Sequence, residues 1–355
     1  MFGAQAVPLA RLHGEILAFG AMPLIVCGFA LRLLPRFAGT PPFRGLLPGA
    51  VLLPFAAGVT LRAIAAIAPI PGAAVAAAAL AAIGGLVFAT AVASVLRAGS
   101  RPRPDLVLFL LAALWLPAAG ALDLSGARAA ALDALLWGFV GGHILAVFAR
   151  TAPAFIAARP PGVAGLAIAG TLWHLGIAAA VLGVLPGWSA ALAGALAIVM
   201  TTRLYGSGIA RGPIQPGAQL TRTALRLAFG WLLVALALLS LRAIEATFDV
   251  FTPIDTGAAR HALTLGFILP VIYAYGSRLV PTLTGGPPPH LRSVTAIVVL
   301  ANVGVFMRVL ADIFATDPAA VVAAVGSSAI AAAAALLLFV ALTVRTLRHG
   351  GLPIV

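Results

Sequence analysis

The stretch Trp137-Gly-Phe-Val-Gly-Gly-His143-Ile-Leu-Ala-Val-Phe-Ala-Arg150-Thr-Ala-Pro153 decides how this chain is read. It is apolar without the alternation of a half-buried strand, so it reads as a buried or membrane helix. Its last four residues, Arg150-Thr-Ala-Pro153, recur as Arg32-Leu-Leu-Pro35 and Arg278-Leu-Val-Pro281. The Arg-to-Arg spacings are 118 and 128 residues, room for about four membrane crossings each. Each copy closes an apolar run that carries a histidine: His13, His143 and His261. A single Arg-x-x-Pro reads as a helix stop, with Arg anchored at the headgroups and Pro breaking the helix just beyond. Three copies at equal helix spacing read as an internal repeat.

Composition agrees. The chain has 355 residues, 62% of them hydrophobic and only 9% charged, with a mean hydropathy of +1.13. That is a polytopic helical membrane protein; a β-barrel would need alternating polar and apolar residues. The net charge of +13 would suggest nucleic acid in a soluble protein. Here the basic residues, all Arg, sit in short loops between apolar runs, so membrane orientation explains them and no nucleic-acid partner is expected. The single cysteine, Cys27, lies in an apolar run, which excludes an intramolecular disulfide and a cysteine-held cluster.

Eleven spans are predicted, over 12–33, 46–68, 73–96, 105–122, 133–156, 163–185, 187–205, 222–244, 258–280, 293–314 and 319–343. The loops alternate in charge. Arg32, Arg36 and Arg44 precede an uncharged turn at Ala68 to Gly72; Arg97, Arg101 and Arg103 precede Asp123 and Asp133. Arg150 and Arg159 precede the Pro186-Gly187 turn, and Arg203, Arg211 and Arg222 precede Glu245, Asp249 and Asp255. Arg278 and Arg292 precede Asp312 and Asp317, and Arg345 and Arg348 close the chain. The positive-inside rule then places the N-terminus outside and the C-terminus inside. Arg-x-x-Pro ends spans 1, 5 and 9, so successive repeats run in the same direction, related by an axis along the membrane normal. The expected fold is all-α: one transmembrane domain, 1–355, in three pseudo-repeats of four helices with the first helix missing. Its repeat units are roughly 1–103, 104–220 and 221–355.

Ionisable residues inside spans are costly and mark candidate sites. His290 and His349 lie in a loop and in the tail. His13 and His261 fall near the outer face, and His143 and His174 near the bilayer middle, counting about 1.5 Å per residue. An outer bis-histidine haem on His13 and His261 is chemically reasonable, with room beside Gly14, Gly20 and Gly266. The plain alternative is two interfacial histidines at helix starts. His143 and His174 suit copper or a second haem iron, or else a hydrogen bond between helices. Arg150 lies two turns below His143, about 10 Å away, the reach from a haem iron to a propionate. Tyr273 and Tyr275 are candidates for proton or electron transfer, or for packing. No Walker loop, GxSxG or HExxH is present.

His13-Gly-Glu15 opening a Gly-rich span, Trp137-Gly-x-x-Gly-Gly-His143 before Arg150-Thr-x-Pro153, and Arg260-His261-Ala-Leu-Thr-x-Gly266 before Ser277-Arg278 together resemble the NnrS family. The resemblance covers most of the chain. It implies a polytopic protein of the bacterial cytoplasmic (inner) membrane, associated with haem, copper and the response to nitric oxide. More distantly, the chain is similar to the haem-copper oxidase main subunit, whose twelve helices form three arcs of four. With the missing helix restored, that likeness puts His13 and His261 on helices bearing low-spin haem ligands, and His143 and His174 on helices bearing copper ligands. The chain departs from it in having no His-His pair after His174 and no His-x-His around His261, so oxygen reduction is not expected.

The expectation is therefore a membrane haem protein. Its cofactors are haem b, with iron ligands His13 and His261 and the guanidiniums Arg150 and Arg278 at the cofactor, and copper as an addition at His143 and His174. Its partners are the lipid bilayer, nitric oxide or another small diatomic, and a redox partner subunit. A small-molecule transporter and a cofactor-free membrane subunit of a redox complex are the alternatives.

Overall fold

Uninterrupted runs of Ala, Leu, Val and Gly satisfy their own backbone polar groups only as helices, and the computed structural model describes them so. It describes residues 12–68, 70–99, 104–157, 160–184, 186–206, 216–248, 256–314 and 317–350. Arg101, Arg103, Arg159, Arg211, Asp249 and Asp255 of the loop reading lie outside these. The helices are α1 Leu12–Ala38, α2 Leu47–Ile67, α3 Ala73–Ala98 and α4 Pro104–Leu124. After them come α5 Arg128–Ile156, α6 Val163–Val181, α7 Gly187–Thr202 and α8 Pro216–Phe248. The last are α9 Thr256–Thr284, α10 Leu291–Phe314 and α11 Pro318–His349. No strand occurs among the described residues.

All eleven expected segments are helical, and ten are long and apolar enough to cross a membrane. The chain is an all-α polytopic membrane protein. The exception is α7, whose 16 residues fall short of the roughly 20 that a bilayer core needs. Its end has a local cause. Thr201 and Thr202 turn their hydroxyls back onto carbonyls of the preceding turn, and Arg203 takes φ +52°, left-handed, so the helix stops. Large apolar side chains such as Leu53, Ile83, Leu175, Val299 and Leu337 are exposed, a surface suited to lipid chains rather than water.

The described chain divides into two compact units, Met1–Phe148 with Gly170–Gly187, and Ala149–Ala169 with Trp188–Val355. This is a division by packing, distinct from the division by repetition near 103 and 220. In the first unit α3 packs along α2 and α4. Its buried side chains include Phe55, Phe88, Phe109, Trp137 and Phe139. In the second, α10 packs along α11, and Tyr273, Ile297, Ala301 and Ala335 form a core cluster.

The repeat shows most clearly in α1, α5 and α9. Each contains a π-helical segment: Leu17–Ala21, Ala134–Gly141 and Ala262–Ile268. Each segment holds a glycine twelve residues before the repeated arginine: Gly20, Gly138 and Gly266. A Cβ at these positions would overlap Val59, Trp115 and Trp231 respectively, so glycine is required by close packing. The Arg-x-x-Pro phrase works differently from a simple stop. Pro35, Pro153 and Pro281 lie inside their helices, which run three residues further, to Ala38, Ile156 and Thr284. The next residue is left-handed each time: Gly39 at φ +70°, Ala157 at φ +50° and Gly285 at φ +69°. The amides of Gly39 and Gly285 bond to the carbonyls of Pro35 and Pro281. The proline thus offers its carbonyl as the C-terminal cap, and the left-handed residue ends the helix.

Candidate functional site

The four intramembrane histidines have four different surroundings. His13 is exposed on the first turn of α1. Gly14 beside it faces open space, but the room expected at Gly20 and Gly266 is filled by Val59 and Trp231. Those glycines serve helix packing. Glu15, two residues after His13, pairs with Arg128 at 2.8 Å.

His261 belongs to the second unit, at the start of the π segment of α9. Its Nδ1 lies 2.7 Å from Asp312 Oδ2, and Arg308 Nε is 3.2 Å from the same nitrogen. A carboxylate only accepts and an arginine only donates, so Nδ1 cannot serve both. The shorter contact makes Nδ1–H the donor to Asp312, and Arg308 NH2 holds the other carboxylate oxygen at 3.2 Å. In the neutral ring this leaves Nε2 with its lone pair. Asp312 sits inside α10, one helical turn after Arg308, and not in a loop as its sequence position suggested.

His143 lies in the first unit and is buried, 3% exposed. Its Nδ1 donates to the carbonyl of Phe139 at 2.8 Å, one turn back on α5. Phe139, Phe88 and Phe109 surround the imidazole, with ring centroids 4.7, 5.6 and 5.9 Å away. Its Nε2 is buried with no hydrogen-bond partner among the described residues. Such an acceptor costs free energy until something binds it, and buried polar atoms of this kind call for an explanation.

His174 is buried in the same unit, its Cε1 3.0 Å from where a Cβ on Gly142 would lie. The structure therefore brings the helices of His143 and His174 together, as expected, but the two rings bond elsewhere. His174 Nδ1 accepts the indole N–H of Trp115 at 3.0 Å. In the second unit Trp231 donates its indole N–H to Asn302 Oδ1 at 3.1 Å.

Arg150 and Arg278 are half-buried on α5 and α9. The Arg278 guanidinium lies 3.2 Å from the Cβ position that Gly217 leaves vacant. Tyr275 is bonded to Thr151 at 2.9 Å, and Tyr273 packs on Phe339 with centroids 4.9 Å apart, so both tyrosines are packing residues here. Among the described residues no group of three or more His, Cys, Asp or Glu is poised to hold a metal.

Sequence reasoning missed the arginines inside the spans. Arg62 on α2 is buried and paired with Asp123, which Arg128 also holds at 2.9 Å. Phe19 lies beneath both guanidiniums, 4.5 and 5.0 Å from its ring centroid. The signal was in the repeat: Arg62 follows Arg32 by 30 residues, as Arg308 follows Arg278.

No curated protein and no solved structure matches the chain. The family model described as NnrS protein matches residues 1–349, essentially its whole length, along the same helices that carry the three repeated phrases and their histidines. The chain therefore belongs to the NnrS family.

Proposed function

We propose that the chain is a haem protein of a bacterial inner membrane, with its N-terminus outside and C-terminus inside. It takes haem b through His261 and binds nitric oxide or another small diatomic, or passes electrons to a redox partner subunit. The observation that carries this reading is the held imidazole of His261. An Nδ1–H fixed by a carboxylate sets the tautomer and ring orientation and raises the basicity of Nε2, the arrangement that metal-binding histidines use. His13, exposed on α1, is the second candidate iron ligand by its sequence position. Arg150 and Arg278 are candidate partners for the propionates. Haem iron would supply a one-electron redox change there; held by His261 alone it would also offer a position to a diatomic, whereas held by both histidines it would serve electron transfer.

The chemistry of the first unit fits a metal as well. His143 has its Nδ1–H on a backbone carbonyl and an unpartnered buried Nε2, so copper or a second haem iron has a nitrogen prepared for it. Family membership supports the nitric oxide reading, and the alternating loop charges support the orientation.

The test is a reduced-minus-oxidised absorption spectrum of the detergent-purified protein, with iron and copper measured on the same sample. A sharp low-spin b-type signal is expected, lost in His261→Ala and His13→Ala and kept in His290→Ala. A flat spectrum from a metal-free preparation would overturn the reading and favour a transporter or a cofactor-free subunit.

A further inference from the structure

The two units contain the same three-part device. In the first, Trp115 on α4 lies in the notch left by Gly138 of the α5 π segment and bonds to His174 on α6. In the second, Trp231 on α8 lies in the notch left by Gly266 of the α9 π segment and bonds to Asn302 on α10. The registers of the glycine and the acceptor agree, while the tryptophans stand 35 and 47 residues before their repeat arginines. Both glycines stand twelve residues before their repeat arginine, and both acceptors, His174 and Asn302, stand 24 residues after it. The hydrogen bonds are 3.0 and 3.1 Å. His174 and Asn302 are thus equivalent positions of one repeat, filled by two side chains able to accept from an indole.

This equivalence bears on chemistry through the tautomer. An indole N–H only donates, so His174 Nδ1 holds a lone pair and, in the neutral ring, Nε2 carries the proton. Neither nitrogen is then available to a metal. His143 is the opposite case: a carbonyl only accepts, so Nδ1 carries the proton and the buried Nε2 holds the lone pair. Two histidines on neighbouring helices, a pair by depth in the sequence, are divided in role by what each Nδ1 meets.

We infer that His174 is the packing acceptor of Trp115, the counterpart of Asn302, and that of this buried pair only His143 can offer a ligand nitrogen to a metal. The assignment of His174 stands on the paired devices alone; the ligand role of His143 rests on the proposed function above.

The experiment labels the five tryptophans with 15N in the purified full chain and follows the Trp115 indole signal, assigned by its loss in Trp115→Phe. Iron and copper are measured on every sample. His174→Asn should keep the hydrogen-bonded Trp115 signal and the full metal content, because Asn is what the second unit uses. His174→Leu should move the Trp115 signal, and Asn302→His should leave the Trp231 signal hydrogen-bonded. His143→Ala should leave Trp115 unmoved and lose one metal equivalent. A Trp115 signal indifferent to His174→Leu would overturn the acceptor assignment. Metal lost in His174→Asn with Trp115 still bonded would make His174 a ligand and overturn the division of roles. An unmodified protein free of iron and copper would overturn the haem reading and the role of His143 together, while the Trp115 signal would still decide His174.

Discussion

The two units each hold a cluster of arginine and carboxylate, built from matching parts and finished differently. In the first, Arg62 and Asp123 are 3% and 5% exposed, and Arg128 and Glu15 complete the network over the ring of Phe19. In the second, Arg308 and Asp312 are 23% and 14% exposed, and the third member is His261 at 32%. Glu15, Asp133 and His261 stand at one register, each seventeen residues before its repeat arginine. The third repeat thus places an imidazole where the other two place an acid. An acid at that position is used up by an arginine, as Glu15 is by Arg128. An imidazole held through Nδ1 still has a nitrogen to offer. The choice of acid or imidazole at this register is one of the differences between a structural ion network and a candidate ligand site.

The largest effect is expected where the pair is most buried. Asp123→Ala strands the Arg62 charge among apolar groups and should cost about 3–5 kcal/mol, read as a lower thermal midpoint in detergent. A loss below about 1 kcal/mol would place the pair among solvated ones and remove the contrast between the clusters.

Next come the notch glycines. Gly138→Ala and Gly266→Ala force a methyl into an indole in both units and should each cost about 1–3 kcal/mol. Gly14→Ala, where nothing lies within 4 Å, should cost nothing. Unequal costs at the two notches would mean that the repeated packing is not equivalent.

Asp312→Asn sharpens the comparison from the other side. It removes the carboxylate that fixes His261 but leaves an isosteric group, so stability should change by less than about 1 kcal/mol. Haem affinity should instead fall by about 10–100-fold, measured by titrating haem into the protein stripped of it. Unchanged affinity would reduce Asp312 to a partner of Arg308 alone.

The smallest expected effect is a gain. Ala157 ends α5 at φ +50°, where the first and third repeats have glycine, and Ala157→Gly should stabilise by up to about 1 kcal/mol. A loss there would mean that the flexibility glycine adds to the unfolded chain outweighs the relieved strain.

Much of the fold was legible in residues alone. The eleven apolar runs became helices within a few residues of their expected bounds, because a membrane helix closes its own hydrogen bonds and its length follows from local hydropathy. The threefold Arg-x-x-Pro phrase falls at the ends of α1, α5 and α9, although its proline lies inside the helix rather than breaking it. The shortness of α7 was not visible, because it depends on threonine back-bonding and a left-handed Arg203 rather than on hydropathy.

What each histidine does was decided by tertiary structure. Asp312 is 51 residues from His261 and Trp115 is 59 from His174, so these partners depend on how whole helices are rotated against one another. The π segments make that rotation hard to extrapolate, since each inserts residues into the turn and re-aims every side chain beyond it. The sequence by itself determined that this is a repeated, histidine-bearing bundle of membrane helices, because hydropathy and chain repetition are local properties. Only the tertiary structure decided which imidazole nitrogens are left to bind something, because a ring's tautomer is set by the donor or acceptor that another helix or turn brings to it.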